Sequence, residues 1–471
     1  MTKWLPNIKK PNGPIYIAIA DAIETDIQDG ILPVGTKLPP QRNVAYDIGV
    51  TIGTISRGYA LACERGLVSG EVGRGTYVID KEDITQKTLH TFPESEALPY
   101  PKDDGDNSYH LGFASAVDVG QSEIISKTAG KIAQGHPTKI MDYIREVPSH
   151  WREAGKHWLS CNEWQPETEN IVPTNGAMAA GVAAISSVSA PGDKIVMEGL
   201  TYCSIARSAT LLGRRIIVTD FDKFGIIPEA FERVCAQQHP KILFIMPSLQ
   251  NPTLAVLSRE RRIAIAEIAH RYNVWIIEDM IYAPLVEDET PPIAHFAPER
   301  TFHVGGLSKC VSAGLRSGWV ACPPRFADRI ANAHKMLTGG ASYWLTELAS
   351  TLTLNGEAHR VLKLIKAENQ KRHGIASNIL KDNKFKSHPN CPYIWIKLPD
   401  PWHSGTFKNA LAKHNIIVSG EDDFKPARTD QVFHGARIGL SSVASAQELE
   451  EPLKIIQSLL ESGIAGYDIR D

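Results

Sequence analysis

Several features that would narrow the reading at once are missing from this sequence. Its seven cysteines (Cys63, Cys161, Cys203, Cys235, Cys310, Cys322 and Cys391) are odd in number, widely scattered and never spaced C-x-x-C. That speaks against a disulfide framework or a cysteine zinc site and favours reduced thiols. The sixteen histidines show no metal-ligand spacing, so no metal is expected, and His303 and His434 read as packing residues. No apolar run approaches the length of a membrane span, and the opening MTKWLPNIKKPNGP lacks the apolar stretch of a secretory signal. A cytoplasmic protein with no membrane partner is the expectation. A charge excess is missing too: 50 Lys and Arg against 53 Asp and Glu leave a net charge of -3. No global basic field advertises nucleic acid, and any such contact has to come from local placement.

What is present fills 471 residues, 43% of them hydrophobic, which is more than one core normally organises. From Pro14 the isoleucines fall at 15, 19, 23 and 27, one stripe of a helix that Gly30 can close in a left-handed conformation. After LPVGTKLPP, a short helix is expected through QRNVAYDI to Gly49, and a second from about Thr51 to Arg65, capped by Thr51 or Thr54. LVSGEVGRGTYVI then gives two short β-rich runs about a Gly-Arg-Gly turn, a hairpin. Three helices and a hairpin make the winged helix-turn-helix plan, whose second paired helix enters the major groove.

The stretch PPQRNVAYDIGVTIGTISRGYALACERGLVSGEVGRGTYV resembles the DNA-binding domain of GntR-type bacterial regulators. The likeness rests on Pro40, Gln41 and Arg42 at a helix start, Tyr59 in the recognition helix, and Gly73, Arg74, Gly75 and Thr76 in the wing. The chain departs at the turn, where Val50-Thr51-Ile52 replaces a serine-arginine pair. The resemblance implies double-stranded DNA as a partner, contacted by Arg42, Thr54, Arg57 and Arg74. Between residues 35 and 75 five basic residues (Lys37, Arg42, Arg57, Arg65 and Arg74) stand against three acidic ones (Asp47, Glu64 and Glu71). A modest, salt-sensitive affinity is expected from that balance.

Residues 1–80 thus read as a DNA-binding domain, and 81–107, polar, proline-containing and without periodicity, as a flexible linker. Beyond 108, apolar runs (KIVMEGL, RRIIVTDFD, KILFIMPS, VWIIEDM, TFHVGGLS, SGWVAC) alternate with helical stretches such as SRERRIAIAEIAHRY. That is an α/β body with a mostly parallel sheet covered on both faces. Its large part is expected over about 108–325, and a smaller α+β part over about 326–471, where a Ser445 and Glu448 capping box starts the last helix.

Ligands of open parallel sheets gather at the carboxyl ends of the strands. There stand Glu278-Asp279 with Tyr282, Asn251 in SLQNPT, Ser308-Lys309 followed by Arg316, and a turn at Asn175-Gly176-Ala177-Met178 that can open a helix. A lysine between apolar runs is costly unless paired or neutralised. Pyridoxal 5'-phosphate answers for the whole set. Lys309 would form the Schiff base, Asp279 would keep the pyridine nitrogen protonated, and Asn251 and Tyr282 would serve the ring hydroxyl. The N–H groups of Gly176, Ala177 and Met178, with Arg316, would take the phosphate, and Tyr202 would lie against the ring.

In this order the stretches NPT, EDMIY, SK and GLRSGW resemble the fold-type I aminotransferases over most of residues 108–465. The resemblance implies that Ser308 belongs to the cofactor pocket, that Arg437 in GARIGLS binds a ligand carboxylate, and that Tyr143 reaches the cofactor phosphate of a neighbouring subunit. Gly306 replaces a serine three residues before the lysine, and no glycine follows Tyr143. A winged helix tethered to such a body resembles the MocR subgroup of GntR regulators. That implies a homodimeric transcription factor sensing an amino compound, or pyridoxal 5'-phosphate itself, through an aldimine at Lys309. The alternative is a working aminotransferase with an accessory DNA-binding domain.

Overall fold

The computed structural model describes residues 4–8, 14–71, 75–79, 108–161, 163–286, 289–429 and 431–462. The chain separates into two compact units, which meet in sequence between Tyr100 and Pro101. The segment expected as a linker, 81–107, lies outside the described residues, as does Arg74.

The N-terminal unit holds α1 (Ile15–Gln28), α2 (Gln41–Ile48), α3 (Ile52–Glu64) and an antiparallel hairpin of β1 (Val68–Glu71) and β2 (Gly75–Val78). The expected isoleucine stripe buries Ile19 and Ile23 fully, while Ile15 at its start stays exposed. Gly30 and Gly49 end their helices at φ 74° and 70°, a conformation glycine adopts without a Cβ penalty. Thr51 is the cap of α3: its hydroxyl accepts from Thr54 N–H at 3.2 Å, which is worth about 1 kcal/mol. Tyr59 is core rather than surface, 3% exposed, with its hydroxyl donating to Pro39 O.

The C-terminal unit is built on seven strands. In chain order they are β3 (Ile171–Thr174), β4 (Lys194–Glu198), β5 (Arg215–Thr219), β6 (Ile242–Ile245), β7 (Trp275–Asp279), β8 (Thr301–Gly306) and β9 (Gly318–Ala321). Their spatial order is β3-β9-β8-β7-β6-β4-β5, and only β9 runs antiparallel to its neighbours. The expected mostly parallel sheet is therefore present. Its strands are apolar in their middles, with charged and polar residues at their ends, because helices cover both faces. Gly306 faces Gly318 across the β8–β9 pair, and a Cβ there would stand 2.9 Å from Ser317 O. A serine in place of Gly306 would have no room.

The smaller part carries an antiparallel sheet in the order β10 (Phe385–Lys386), β11 (Tyr393–Lys397), β13 (Gly435–Gly439), β12 (Ser419–Gly420). The first described residues of the C-terminal unit pack with the smaller part. Tyr109–His110 pairs with Ile416–Ile417, and Leu111 is buried in the small part's core, so the chain enters the small part before crossing to the large one. Burying Leu111 drives that placement. Only one half of the Ser445 and Glu448 box forms: Glu448 N–H donates to Ser445 Oγ at 3.3 Å, but the Glu448 carboxylate accepts from the Ser445 hydroxyl at 3.0 Å and not from its backbone N–H, ahead of the helix Glu450–Ser462.

Candidate cofactor site

Strand ends bring the expected residues together. Asp279 is the last residue of β7, and Lys309 sits in the turn directly after β8. Gly176, at φ 91°, opens helix α4 (Ala177–Val188) beside the main chain of Arg316. Ala177, Met178, Tyr202 and Asp279 line one small pocket over a floor of Phe244, Ile277 and Val304. The N–H groups of Ala177 and Met178 have no acceptor among the described residues, as the first turn of a helix leaves them. Tyr202 lies across the same helix start, its hydroxyl 3.8 Å from Met178 Sδ.

Asp279 is 6% exposed and has its carboxyl pushed up to about 6 by burial, against the pull of the Ile281 N–H, Lys309 and His303. Lys309 is half-buried, its Nζ donating to Ala114 O at 2.5 Å and standing 5.8 Å from the Tyr282 ring centre. Burial first, then Arg437, lowers its amine to about 8, while Asp279 and Cys310 pull the other way. Protonation therefore costs the folded chain free energy below about pH 8, and stability from this source recovers as pH rises from there toward the ordinary 10.5. Capture of an aldehyde needs the neutral amine. Its rate is expected to rise through a midpoint near 8, and a stopped-flow pH profile climbing only above 10 would contradict this assignment.

Arg437, on β13, is 8% exposed. Its Nη1 donates to Asn251 Oδ1 at 2.8 Å and its Nη2 to Gly112 O at 2.7 Å, while its buried Nε has no partner among the described residues. The guanidinium lies between two rings, 5.2 Å from the centre of Tyr393 and 4.8 Å from that of Phe424. Tyr393 in turn meets Tyr282 edge to face at 5.7 Å. Because Asn251 Oδ1 accepts from Arg437, its amide nitrogen is the end left to donate.

Arg316 is exposed, at φ 42°, and its guanidinium makes no hydrogen bond or ion pair among the described residues. Ser308 is half-buried beside Lys309. Tyr143 stands apart, 90% exposed and without side-chain bonds to the pocket, so within one chain it serves no part of the site. Cys310 and Cys203 are buried, and burial pushes their thiols up to about 12, which leaves them unreactive. His303 is buried against Glu278 at 3.0 Å, a structural pair that also caps the turn at Ile293. Sequence reasoning missed Tyr393, Phe424 and the two backbone acceptors Gly112 and Ala114. No local motif marks any of them.

The donor set fits pyridoxal 5'-phosphate. An amine held near neutrality, a buried carboxyl, an open helix start and an unpartnered arginine converge where an aldehyde, a ring nitrogen and a phosphate could be met. Among the described residues no cluster of His, Cys, Asp or Glu is arranged to hold a metal, and no helix is long and apolar enough to cross a membrane.

On the N-terminal unit, Arg42 at the start of α2 and Arg57 on α3 are exposed. Thr54 is half-buried, its hydroxyl 2.9 Å from that of Thr51. Arg65 is not part of a free basic surface: it pairs with Asp21 at 2.6 Å and Glu24 at 3.0 Å. The acids of α1 thus neutralise one of the five basic residues counted in the sequence.

Comparison with known proteins agrees with both halves. Residues 15–78 match the family described as bacterial regulatory proteins, gntR family, and residues 120–386 match aminotransferase class I and II. The HTH-type transcriptional regulator YdeF of Bacillus subtilis is 26% identical over 459 residues, 97% of this chain and 97% of its own. The HTH-type transcriptional regulator NorG of Staphylococcus aureus is 24% identical over 417 residues, 81% of this chain and 91% of its own. Among solved structures, an archaeal alanine:glyoxylate aminotransferase superposes with a TM-score of 0.69 at 21% identity, over 76% of this chain and 92% of that one. The chain therefore belongs to the aminotransferase class I and II family, and it carries a gntR-family helix-turn-helix domain ahead of that fold.

Proposed function

We propose that this protein is a DNA-binding transcriptional regulator that uses an aminotransferase-like pocket to sense an amino compound, or pyridoxal 5'-phosphate itself, at Lys309. One observation carries the reading: a helix-turn-helix with exposed Arg42 and Arg57 shares a chain with Lys309, Asp279, Asn251 and the Gly176 turn, in the arrangement of a relative named as a transcriptional regulator. When bound, pyridoxal 5'-phosphate supplies an aldehyde that captures amines and a ring that draws electrons.

The chain's own groups then have distinct tasks. Lys309 provides the attachment nitrogen, kept neutral enough to react by burial and Arg437. Asp279 would hold a proton on the ring nitrogen, and a cation there would restore its carboxylate. Asn251 and Tyr282 would donate to the ring hydroxyl. Gly176, Ala177 and Met178, with Ser308 and Arg316, would hold the phosphate, and Tyr202 would flank the ring. Arg437 would bind the carboxylate of an amino ligand with the Nε that has no partner among the described residues. A homodimer fits this reading, with Tyr143 serving the partner's pocket and two helix-turn-helix units addressing paired half-sites on double-stranded DNA.

Footprinting of DNA upstream of the protein's own gene, with and without pyridoxal 5'-phosphate and a panel of amino acids, tests the proposal. Protection that changes with the added compounds supports it. Steady conversion to pyridoxamine phosphate, with unaltered DNA binding, would favour a working aminotransferase instead. In the same fragment, Arg57→Ala is expected to weaken binding about equally for all sequences. It should also lower the slope of log affinity against log salt by about 1. An unchanged slope would remove Arg57 from the phosphate contacts.

A further inference from the structure

Four consecutive carbonyls, from Leu111 to Ala114, are all taken, and by two different kinds of partner. Leu111 O accepts from Gly439 N–H at 2.6 Å, and Phe113 O accepts from Ser442 Oγ at 3.2 Å. These are anchors to the small part. Gly112 O accepts from Arg437 Nη2 at 2.7 Å as well as from Ser419 Oγ at 3.0 Å, and Ala114 O accepts from Lys309 Nζ at 2.5 Å. The two basic groups of the site are thus both held by one short piece of backbone. In sequence, that piece follows directly on the segment joining the two units.

We propose that Gly112–Ala116, between the buried Leu111 and Val117, is an autoinhibitory latch, which occupies Lys309 and Arg437 and is displaced as the site fills. The inference rests on the reading of the site given above. Condensation of the neutral Lys309 amine with the cofactor aldehyde forms one C=N bond and expels one water. Both amine hydrogens leave with the aldehyde oxygen, and none remains for Ala114 O. A ligand carboxylate that pairs with the free Nε of Arg437 makes its second, parallel bond to Nη2, and there it competes with Gly112 O. Each event removes one of the latch's holds, and Ala116 N–H, which reaches Ser308 O at 3.4 Å, is freed with them. Occupancy of the pocket is thereby passed to the stretch of chain that leads to the DNA-binding unit. A ligand shifts such an equilibrium only by its preference for one state, and here that preference is built in, because latch and ligand use the same two cations.

The anchors give the test, because Ser419 and Ser442 have no assigned contact with cofactor or ligand. In the full-length protein, Ser419→Ala with Ser442→Ala weakens the latched state. This pair is expected to tighten pyridoxal 5'-phosphate binding about tenfold in an absorbance titration. Deuterium uptake of the peptide covering residues 108–119 should rise on cofactor addition in the unaltered protein, and should already be high without cofactor in the double variant. Gly439→Ala gives a second route, since a Cβ there would collide with Phe113 O. Unchanged or weaker binding in the double variant, with uptake like that of the unaltered protein, would overturn the latch while leaving the cofactor site standing. Absence of any borohydride-trapped adduct on Lys309 would sink both.

Discussion

Lys309→Ala is expected to abolish covalent retention of pyridoxal 5'-phosphate and, with it, every response of DNA binding to amino compounds. The expectation follows from where the amine sits. It is half-buried, its one hydrogen bond goes to a backbone carbonyl, and its proton affinity is lowered by burial and by Arg437. The surroundings favour a neutral, nucleophilic amine and stabilise an ammonium poorly. Removing it takes no packing from the core, because the adjoining Cys310 and Leu307 supply that, so the variant should fold. Lys309→Arg should not rescue, since a guanidinium stays protonated and cannot condense with an aldehyde. Borohydride trapping followed by mass spectrometry checks both variants. Stoichiometric adduct on the alanine variant would place the attachment elsewhere and end the sensor reading.

The second large effect belongs to Arg437. Its fork joins Asn251 to Gly112, two aromatic faces fix its plane, and Nε is left over inside the protein. A buried donor without an acceptor costs free energy that a carboxylate would return. Truncating a buried, hydrogen-bonded charge costs about 2 kcal/mol or more. Arg437→Ala should therefore weaken amino acids at least about thirtyfold. Amines that lack a carboxylate should bind almost as before. Arg437→Lys should recover little, because a point charge cannot replace a planar fork held between rings. Spectral titration with matched amino acid and amine pairs measures the difference. Equal losses for both would mean that Arg437 supports the fold and not the ligand.

These effects could be argued from the sequence only in part, and the dividing line is physical. Asp279, Asn251, Lys309 and the Gly176 turn were legible because each stands at or just beyond the carboxyl end of an apolar strand, where open parallel sheets gather their ligands. The two halves of the molecule were legible for a similar reason, since strand and helix periods change along the chain. Tyr393 and Phe424 were not, because they approach Arg437 from other elements of the small part, a strand and a short 3-10 turn, and buried aromatic residues look like ordinary core. Gly112 and Ala114 act through main-chain oxygens, which every residue carries, so no side-chain pattern could mark them. Tyr59 shows the reverse case: a position prominent in the family pattern is spent on packing. Arg65 looked like a free cation until the fold brought Asp21 and Glu24 beside it.

One helix, α4 aside, shapes how the C-terminal unit can respond. The 23-residue helix Glu357–Ile379 buries Val361 and Ile365 in the core under the large sheet and Ala376 in the core of the small part. A rod rooted at both ends transmits tilt and forbids free swivelling. Any rocking of the small part must therefore pivot as a stiff body, carrying Arg437 and the anchors at Ser419 and Ser442 together through a single arc.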